Sequence, residues 1–266
     1  MGSRYDLAII TGGSSGIGYS IIEGYLKLEP DASIFNLSRR KPASFSNVPE
    51  RQHLECDLSD KNQRKKVLDE LERRIRSAKG QGRILLVNNA GFGLYGETGD
   101  TPPEEHLELL EVNVCALVEI TTRLLPLIKE RGGSIMNIAS TSAFQPTPHL
   151  STYGASKAFV LNWTLALNDE LKGSGVNAIA VCPGPTKTEF FKRAGFKDRV
   201  VPAGYSHDPE QVANMALRAL NAGKPFTVTG LLNKLASLFS TMLPLALRTR
   251  VAGRVIRRFR PNPENQ

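Results

Sequence analysis

Cysteine, histidine and long apolar runs are all scarce in this sequence, and each scarcity removes a class of protein. The three cysteines of the 266-residue chain, Cys56, Cys115 and Cys182, are far apart, odd in number and form no CxxC pair. A disulfide framework and a cysteine zinc site are therefore excluded, and reduced thiols in a cytoplasmic compartment are expected. The four histidines, His53, His106, His149 and His207, are scattered without metal-ligand spacing, so no metal site is expected. They read as structural or exposed, with His149 a candidate for the mouth of a site. The longest uncharged apolar stretch, Leu235–Leu247, has thirteen residues and is interrupted by Pro244, short of the ~20 that a membrane span requires. The N-terminal MGSRYDLAIITGG enters a strand-like run at once and leaves no room for a signal peptide. A cytoplasmic protein, soluble or at most peripheral, is the expectation.

Charge of one sign is also scarce over most of the chain, although the total of +8 suggests otherwise. Residues 226–266 hold seven Lys/Arg and one acidic residue, which leaves only +2 for residues 1–225. A basic nucleic-acid-binding surface across the body is therefore not expected. With 41% hydrophobic and 23% charged residues, the chain is neither disordered nor collagen-like.

What is present is an alternation of short apolar runs with longer stretches of helical period. Strands are expected at Leu7–Thr11, Ser33–Leu37, Arg83–Asn88, Ser134–Ser140, Val176–Cys182 and Pro225–Thr229. Helices are expected from the turn after Thr11 to Leu28, and over Asp60–Ala78, Pro103–Ile128, Tyr153–Lys172 and Pro209–Asn221, with a polar loop before Asp57. Uncharged strands alternating with amphipathic helices imply an α/β fold, a doubly wound parallel sheet covered on both faces. No linker divides the chain, so a single domain over residues 1–230 with a C-terminal helical extension, 231–266, is expected.

Thr11-Gly12-Gly13-Ser14-Ser15-Gly16-Ile17-Gly18 follows the first strand and opens the first helix. Glycines there permit close backbone approach to a pyrophosphate facing the helix N-terminus, so the turn reads as a dinucleotide site. The second strand ends Asn36-Leu37-Ser38-Arg39-Arg40, without the carboxylate that would accept from a ribose 2′-hydroxyl. A cation there neutralises a 2′-phosphate, which favours NADP(H) over NAD(H). Farther on, Tyr153 and Lys157 stand at i and i+4 on one helix face. A free phenol titrates near pH 10, and a neighbouring ammonium favours the phenolate and makes the tyrosine a usable acid and base. Ser140 ends a strand on the side where open α/β sheets bind ligands.

These blocks together resemble the short-chain dehydrogenase/reductase family, over roughly residues 5–230. TGGSSGIG resembles its TGxxxGxG cofactor loop, carried by Gly12, Gly16 and Gly18 with Ser14, Ser15 and Ile17 lining it. Cys56-Asp57-Leu58 matches the segment whose Asp contacts the adenine. Asn88-Asn89-Ala90-Gly91 matches the NNAG block after the family's fourth strand, one strand more than the count above. Asn113 matches the Asn of the catalytic helix, and Ser140, Tyr153 and Lys157 match the Ser and YxxxK pair. Pro183-Gly184, with Thr186 and Thr188, matches the PGxxxT block that holds the nicotinamide carboxamide. The residue before Gly16 is Ser15 rather than the Lys/Arg of many NADP-dependent members. The resemblance implies a Rossmann-type fold and an oxidoreductase moving hydride between NADPH and a carbonyl or secondary alcohol. Tyr153 would give the proton, Ser140 orient the oxygen, Lys157 hold the nicotinamide ribose and lower the Tyr153 pKa, and Asn113 anchor a water leading from Lys157 to solvent. The i,i+4 spacing favours C=O over C=C chemistry, and a homodimer or homotetramer is implied. The alternative is an NADP-sensing regulator without chemistry on the same fold, which would have no use for the Tyr–Lys pair.

The segment after Thr188 reads as a substrate lid. Phe190, Phe191 and Phe196 suit a hydrophobic small-molecule substrate, and Lys192, Arg193, Lys197 and Arg199 an anionic end, unless the lid only packs on its own domain. Gln145-Pro146 and CPGPTKTEF are similar to bacterial ketoacyl- and hydroxysteroid-type reductases, without choosing among ketoacyl, steroid and simpler ketone or aldehyde substrates. Leu231, Leu235, Leu238, Phe239 and Met242 recur at helical spacing, and Leu247, Val251 and Val255 continue beyond Pro244, with Arg250, Arg254, Arg257 and Arg258 on another face. The plainer expectation is that this apolar stripe packs on the subunit or a second copy. The other is that residues 231–260 form a basic amphipathic element lying on anionic lipid.

Overall fold

Strands whose side chains are apolar on both faces can be satisfied only between two layers of helices, and this chain builds that arrangement. The computed structural model describes residues 5–45, 51–77, 82–196 and 205–257; Ala78, Lys197, Arg199 and residues from Arg258 onward lie outside the described residues. Seven parallel strands form one sheet: β1 (Tyr5–Thr11), β2 (Ser33–Ser38), β3 (Arg51–Glu55), β4 (Arg83–Asn88), β5 (Gly133–Ile138), β6 (Val176–Cys182) and β7 (Phe226–Val228), in the order β3-β2-β1-β4-β5-β6-β7. The crossovers reverse direction between β1 and β4, which opens a crevice at the carboxyl ends of these strands.

Alternate residues feed two cores. Ala8, Ile10, Val87 and Val181 pack against α1 (Gly16–Leu28) and α7 (Pro209–Asn221). Leu7, Ile9, Leu86 and Ile135 pack on the other face against α2 (Lys61–Ser77), α4 (Ala116–Arg131) and α5 (Ser151–Glu170). The α7 start is fixed by a capping box between Asp208 and Gln211, with Pro209 in the first turn.

Three expectations are corrected. The loop before Asp57 contains β3, whose sequence RQHLE is only half buried because it is an edge strand paired with β2 alone; the family's strand count is the right one. The helix expected over Pro103–Ile128 is interrupted: α3 (Pro103–Leu110) passes through a wide π turn, Glu111–Cys115, before α4. Finally, the tail forms α8 (Leu231–Met242) and α9 (Leu245–Arg257), broken around Pro244 as anticipated, and of its two expected packings the one on the subunit itself is not seen: most of the apolar stripe is exposed on the single subunit. Helix α8 buries Asn233 and Ser237 and leaves Leu231, Leu235, Leu238, Phe239 and Met242 exposed. The cause is polar anchoring, for the Asn233 amide donates to the carbonyls of Thr229 (3.0 Å) and Tyr205 (3.3 Å), and the Ser240 hydroxyl donates to Gln145 (3.2 Å).

The π turn is clamped from α2. Arg64, 2% exposed, donates to Glu111 at 2.6 Å, to Glu119 at 2.8 Å and to the Leu58 carbonyl. Removing a buried charge leaves its partners uncompensated. Arg64→Ala is expected to lower unfolding free energy by about 3 kcal/mol, the low end for a buried pair because both glutamates retain solvent, as read by urea denaturation.

Candidate active site

Chain turns at the carboxyl ends of β1, β2, β4, β5 and β6 converge on one cleft of about 720 Å³, within the range of small-molecule sites. Of the residues singled out in the sequence, Ser14, Ser15, Ile17, Ser38, Arg39, Arg40, Asp57, Leu58, Asn89, Ala90, Gly91, Ser140, Tyr153, Lys157, Pro183, Gly184, Thr186 and Thr188 line it, together with Gly12 and Gly16. Gly18 and Asn113 do not.

At the β1 turn, Gly12 adopts φ +67° and Gly16 φ +58°, conformations that favour glycine. A Cβ on Gly12 would come within 2.9 Å of the Ala90 backbone, so the turn lies directly against the end of β4. Gly18 faces inward instead, where a Cβ would meet the Gly12 carbonyl at 2.5 Å; its role is close packing of helix on strand. Ser15 precedes α1 with no side-chain cap, which leaves first-turn amides available to an anion. Along the cleft, the Asn36 amide donates to Ser38 (2.8 Å) and the Ser38 hydroxyl to the Arg40 carbonyl (2.7 Å), shaping the turn that presents Arg39 and Arg40. Arg39 lies 3.8 Å from Asp57. Burial works to raise the Asp57 carboxyl, but the Ser59 amide and hydroxyl, and then Arg39, outweigh it and hold it below its ordinary value.

At the other end, the Ser140 hydroxyl accepts from the Ser142 amide (3.1 Å) and shares a hydrogen bond with Tyr153. The Lys157 ammonium donates to the Ile138 carbonyl at 2.9 Å and sits 5.9 Å from the Tyr153 ring centre. Burial pushes the Tyr153 phenol up to about 12, against the lowering effect of Ser140, and pushes Lys157 down to about 8. Burial is the first cause of both shifts: a dry pocket penalises both charged forms, and the ammonium is turned to the Ile138 carbonyl. The Asn113 side chain accepts from the Phe92 amide (3.0 Å) and donates to the Phe92 carbonyl (2.9 Å) and Ser156 (3.1 Å). It braces the loop after β4 and stands behind the cleft wall.

His149 also misses the cleft. It adopts φ +66° and faces Glu97 at 3.5 Å and the Tyr95 ring. Among the described residues no cluster could hold a metal. The segment read as a lid carries α6 (Phe190–Arg193). Phe190, Phe191 and Phe196 line the cleft while packing with Phe92, Leu109 and Leu150; the Phe190 ring lies 5.1 Å from that of Tyr153. Arg193 stacks 4.3 Å over Phe92 and lines the cleft on the side of Arg39 and Arg40; burial, and after it Arg39, lowers its pKa. The sequence reading missed that α8 and α9 roof the cleft through Ser237, Phe239, Leu243, Val251 and Val255. Small polar residues at helical spacing, Asn233, Ser237 and Ser240, were the available signal.

The profile of the short chain dehydrogenase family matches residues 6–198. A short chain dehydrogenase of Pseudocercospora fijiensis is 32% identical over 193 residues, spanning 68% of this chain and 60% of that one. An NADPH-dependent 3-dehydrocapnine reductase of Ornithobacterium rhinotracheale is 35% identical over 202 residues, covering 70% and 68%. A solved short-chain dehydrogenase of Sphingobium yanoikuyae in complex with NADPH superposes with a TM-score of 0.74 at 29% identity, over 89% of this chain and 93% of that one. With the sheet order, the glycine turn and the Ser140–Tyr153–Lys157 cluster in place, the chain belongs to the short-chain dehydrogenase/reductase family of oxidoreductases.

Proposed function

We propose that the protein is an NADP(H)-dependent carbonyl reductase that interconverts a hydrophobic ketone or aldehyde and its alcohol. The observation that carries this reading is the convergence of Ser140, Tyr153 and Lys157 in the cleft that also holds the Gly12–Ile17 turn. The residues present fit a nicotinamide dinucleotide: the glycine turn admits a pyrophosphate beside the α1 N-terminus, and Thr186 and Thr188 line the same cleft, Thr188 beside Gly16. Three cations, Arg39, Arg40 and Arg193, crowd the adenosine end, where burial first and then Arg39 lower the Arg193 pKa, and a bound phosphate would compensate their charge. NADPH over NADH follows from that crowding, and the NADPH-bound and NADPH-dependent relatives support it.

When bound, the reduced cofactor supplies hydride to the carbonyl carbon. Tyr153, protonated throughout the neutral range, gives its proton to the carbonyl oxygen, which the Ser140 hydroxyl orients. Lys157 holds the ribose as a cation, and Asn113 acts as a positioning residue through Phe92 and Ser156. The apolar lining of Phe92, Leu150, Phe190, Phe191 and Leu243 suits a ketoacyl, steroid-like or smaller hydrophobic substrate. A homodimer or homotetramer through α4 and α5 completes the reading.

Tyr153→Phe is expected to lower carbonyl reduction by at least about 100-fold, the scale of a lost general acid, while NADPH binding followed by fluorescence stays intact; full turnover in this variant overturns the assignment. Lys157 is cationic below about pH 8 and neutral above it, so kcat/KM for NADPH should decline as pH rises through that value, checked by its pH profile. Arg39→Asp should weaken NADPH about 10-fold or more and spare NADH, since one charge-assisted phosphate contact is worth roughly 1.4 kcal/mol or more. Equal wild-type turnover with both cofactors would refute the NADP preference.

A further inference from the structure

Helix α8 is amphipathic in the inverted sense. Its small and polar residues, Asn233, Ser237 and Ser240, face the protein, while Leu235, Leu238, Phe239 and Met242 are 53%, 59%, 64% and 75% exposed. Helix α9 continues the surface with Leu245, Leu247, Val251 and Val255, all exposed. Contiguous apolar surface on this scale marks a contact with something other than water. Its charge selects the occupant: residues 231–257 contain Lys234, Arg248, Arg250, Arg254 and Arg257 and no Asp or Glu. Arg248 is turned inward onto the Phe144 carbonyl (3.0 Å), whereas Arg250, Arg254 and Arg257 are exposed beside the apolar residues. Two copies of such a surface face to face would bring like charges together without a carboxylate to compensate. An anionic bilayer offers the opposite charge and an apolar interior together.

The exposed surface is also continuous with the cleft. Phe239, Val251 and Val255 line the cavity and are exposed at once, so the same side chains form its rim. Neither helix is long and apolar enough to cross a membrane, nor is any other among the described residues. We propose that α8 and α9 dock flat on an anionic lipid surface, with leucines in the headgroup boundary and arginines at the phosphates, seating the rim of the cleft against the bilayer so that a lipid-dissolved carbonyl compound enters from the membrane. The entry of substrate rests on the carbonyl-reductase reading, whereas the docking does not.

The full chain is to be sedimented with phosphatidylcholine vesicles, plain or containing about 30% phosphatidylglycerol. The wild type is expected to partition at least about 5-fold more onto the anionic vesicles, with the excess lost at high salt. Leu235→Ser/Leu238→Ser/Met242→Ser, three positions outside the cleft lining, should reduce partitioning about 10-fold while NADPH binding is retained. Arg250→Glu/Arg254→Glu leaves the apolar residues in place and guards against misfolding of the first variant; it should abolish the preference for anionic vesicles. Tyr153→Phe must partition like the wild type, which separates failure of docking from failure of the catalytic reading. Wild type remaining in the supernatant, or both multiple variants partitioning unchanged, overturns the proposal. It is equally overturned if sedimentation velocity shows the serine variant dissociating an oligomer while no form binds vesicles, since the surface is then a contact between copies.

Discussion

The site depends on one set of hydrogen bonds where two neighbouring strands part. The Asn89 side-chain amide donates to the carbonyls of Thr11 and Gly12, and the main-chain amides of Asn89 and Ala90 both donate to the Thr11 hydroxyl. These bonds tie the end of β1 to the end of β4, where the crossovers depart in opposite directions. Without them the crevice would have two independent lips. With them, the glycine turn on one side and the Ala90–Gly91 wall on the other form a single rigid edge, against which the remaining loops arrange themselves.

Dryness is the second constraint, and it acts on acid and base alike. The cleft strips water from Tyr153 and Lys157, pushing the phenol up to about 12 and the ammonium down to about 8, so the two pKa values move apart and the charged form of each is disfavoured. On the proposed reading, cofactor phosphates and ribose hydroxyls would supply the polar environment that the cleft itself lacks.

Much of this was legible in the sequence, and the exceptions have physical causes. β1, β4, β5 and β6 are buried on both faces, so their uninterrupted apolar runs announce them. β3 lies at an edge, is half solvated and spells RQHLE, so no periodicity betrays it. Tyr153 and Lys157 were readable because i and i+4 share a helix face whatever surrounds them. Their pKa directions were not, since burial is a property of the assembled cleft. Asn113 was located, but its bracing of the loop after β4 depends on Phe92 and Ser156 arriving from elsewhere in the chain. The tail was ambiguous for a more instructive reason. Apolar residues at helical spacing say which residues share a face, and only the anchoring of Asn233 decided that the face turns outward.

The π turn at Glu111–Cys115 also fixes how α3 and α4 are indexed to each other. A π turn contains one residue more than the α turn it replaces, and each helical residue advances the side-chain direction by about 100°. Buried Leu109 above the turn and buried Ala116 and Ile120 below it are brought to their respective cores by that offset, as is Asn113 to Phe92. Losing a single residue here, even one other than Asn113 or Glu111, would rotate one half of the helix by more than a quarter turn. In this stretch the count of residues governs the site as strictly as their chemistry does.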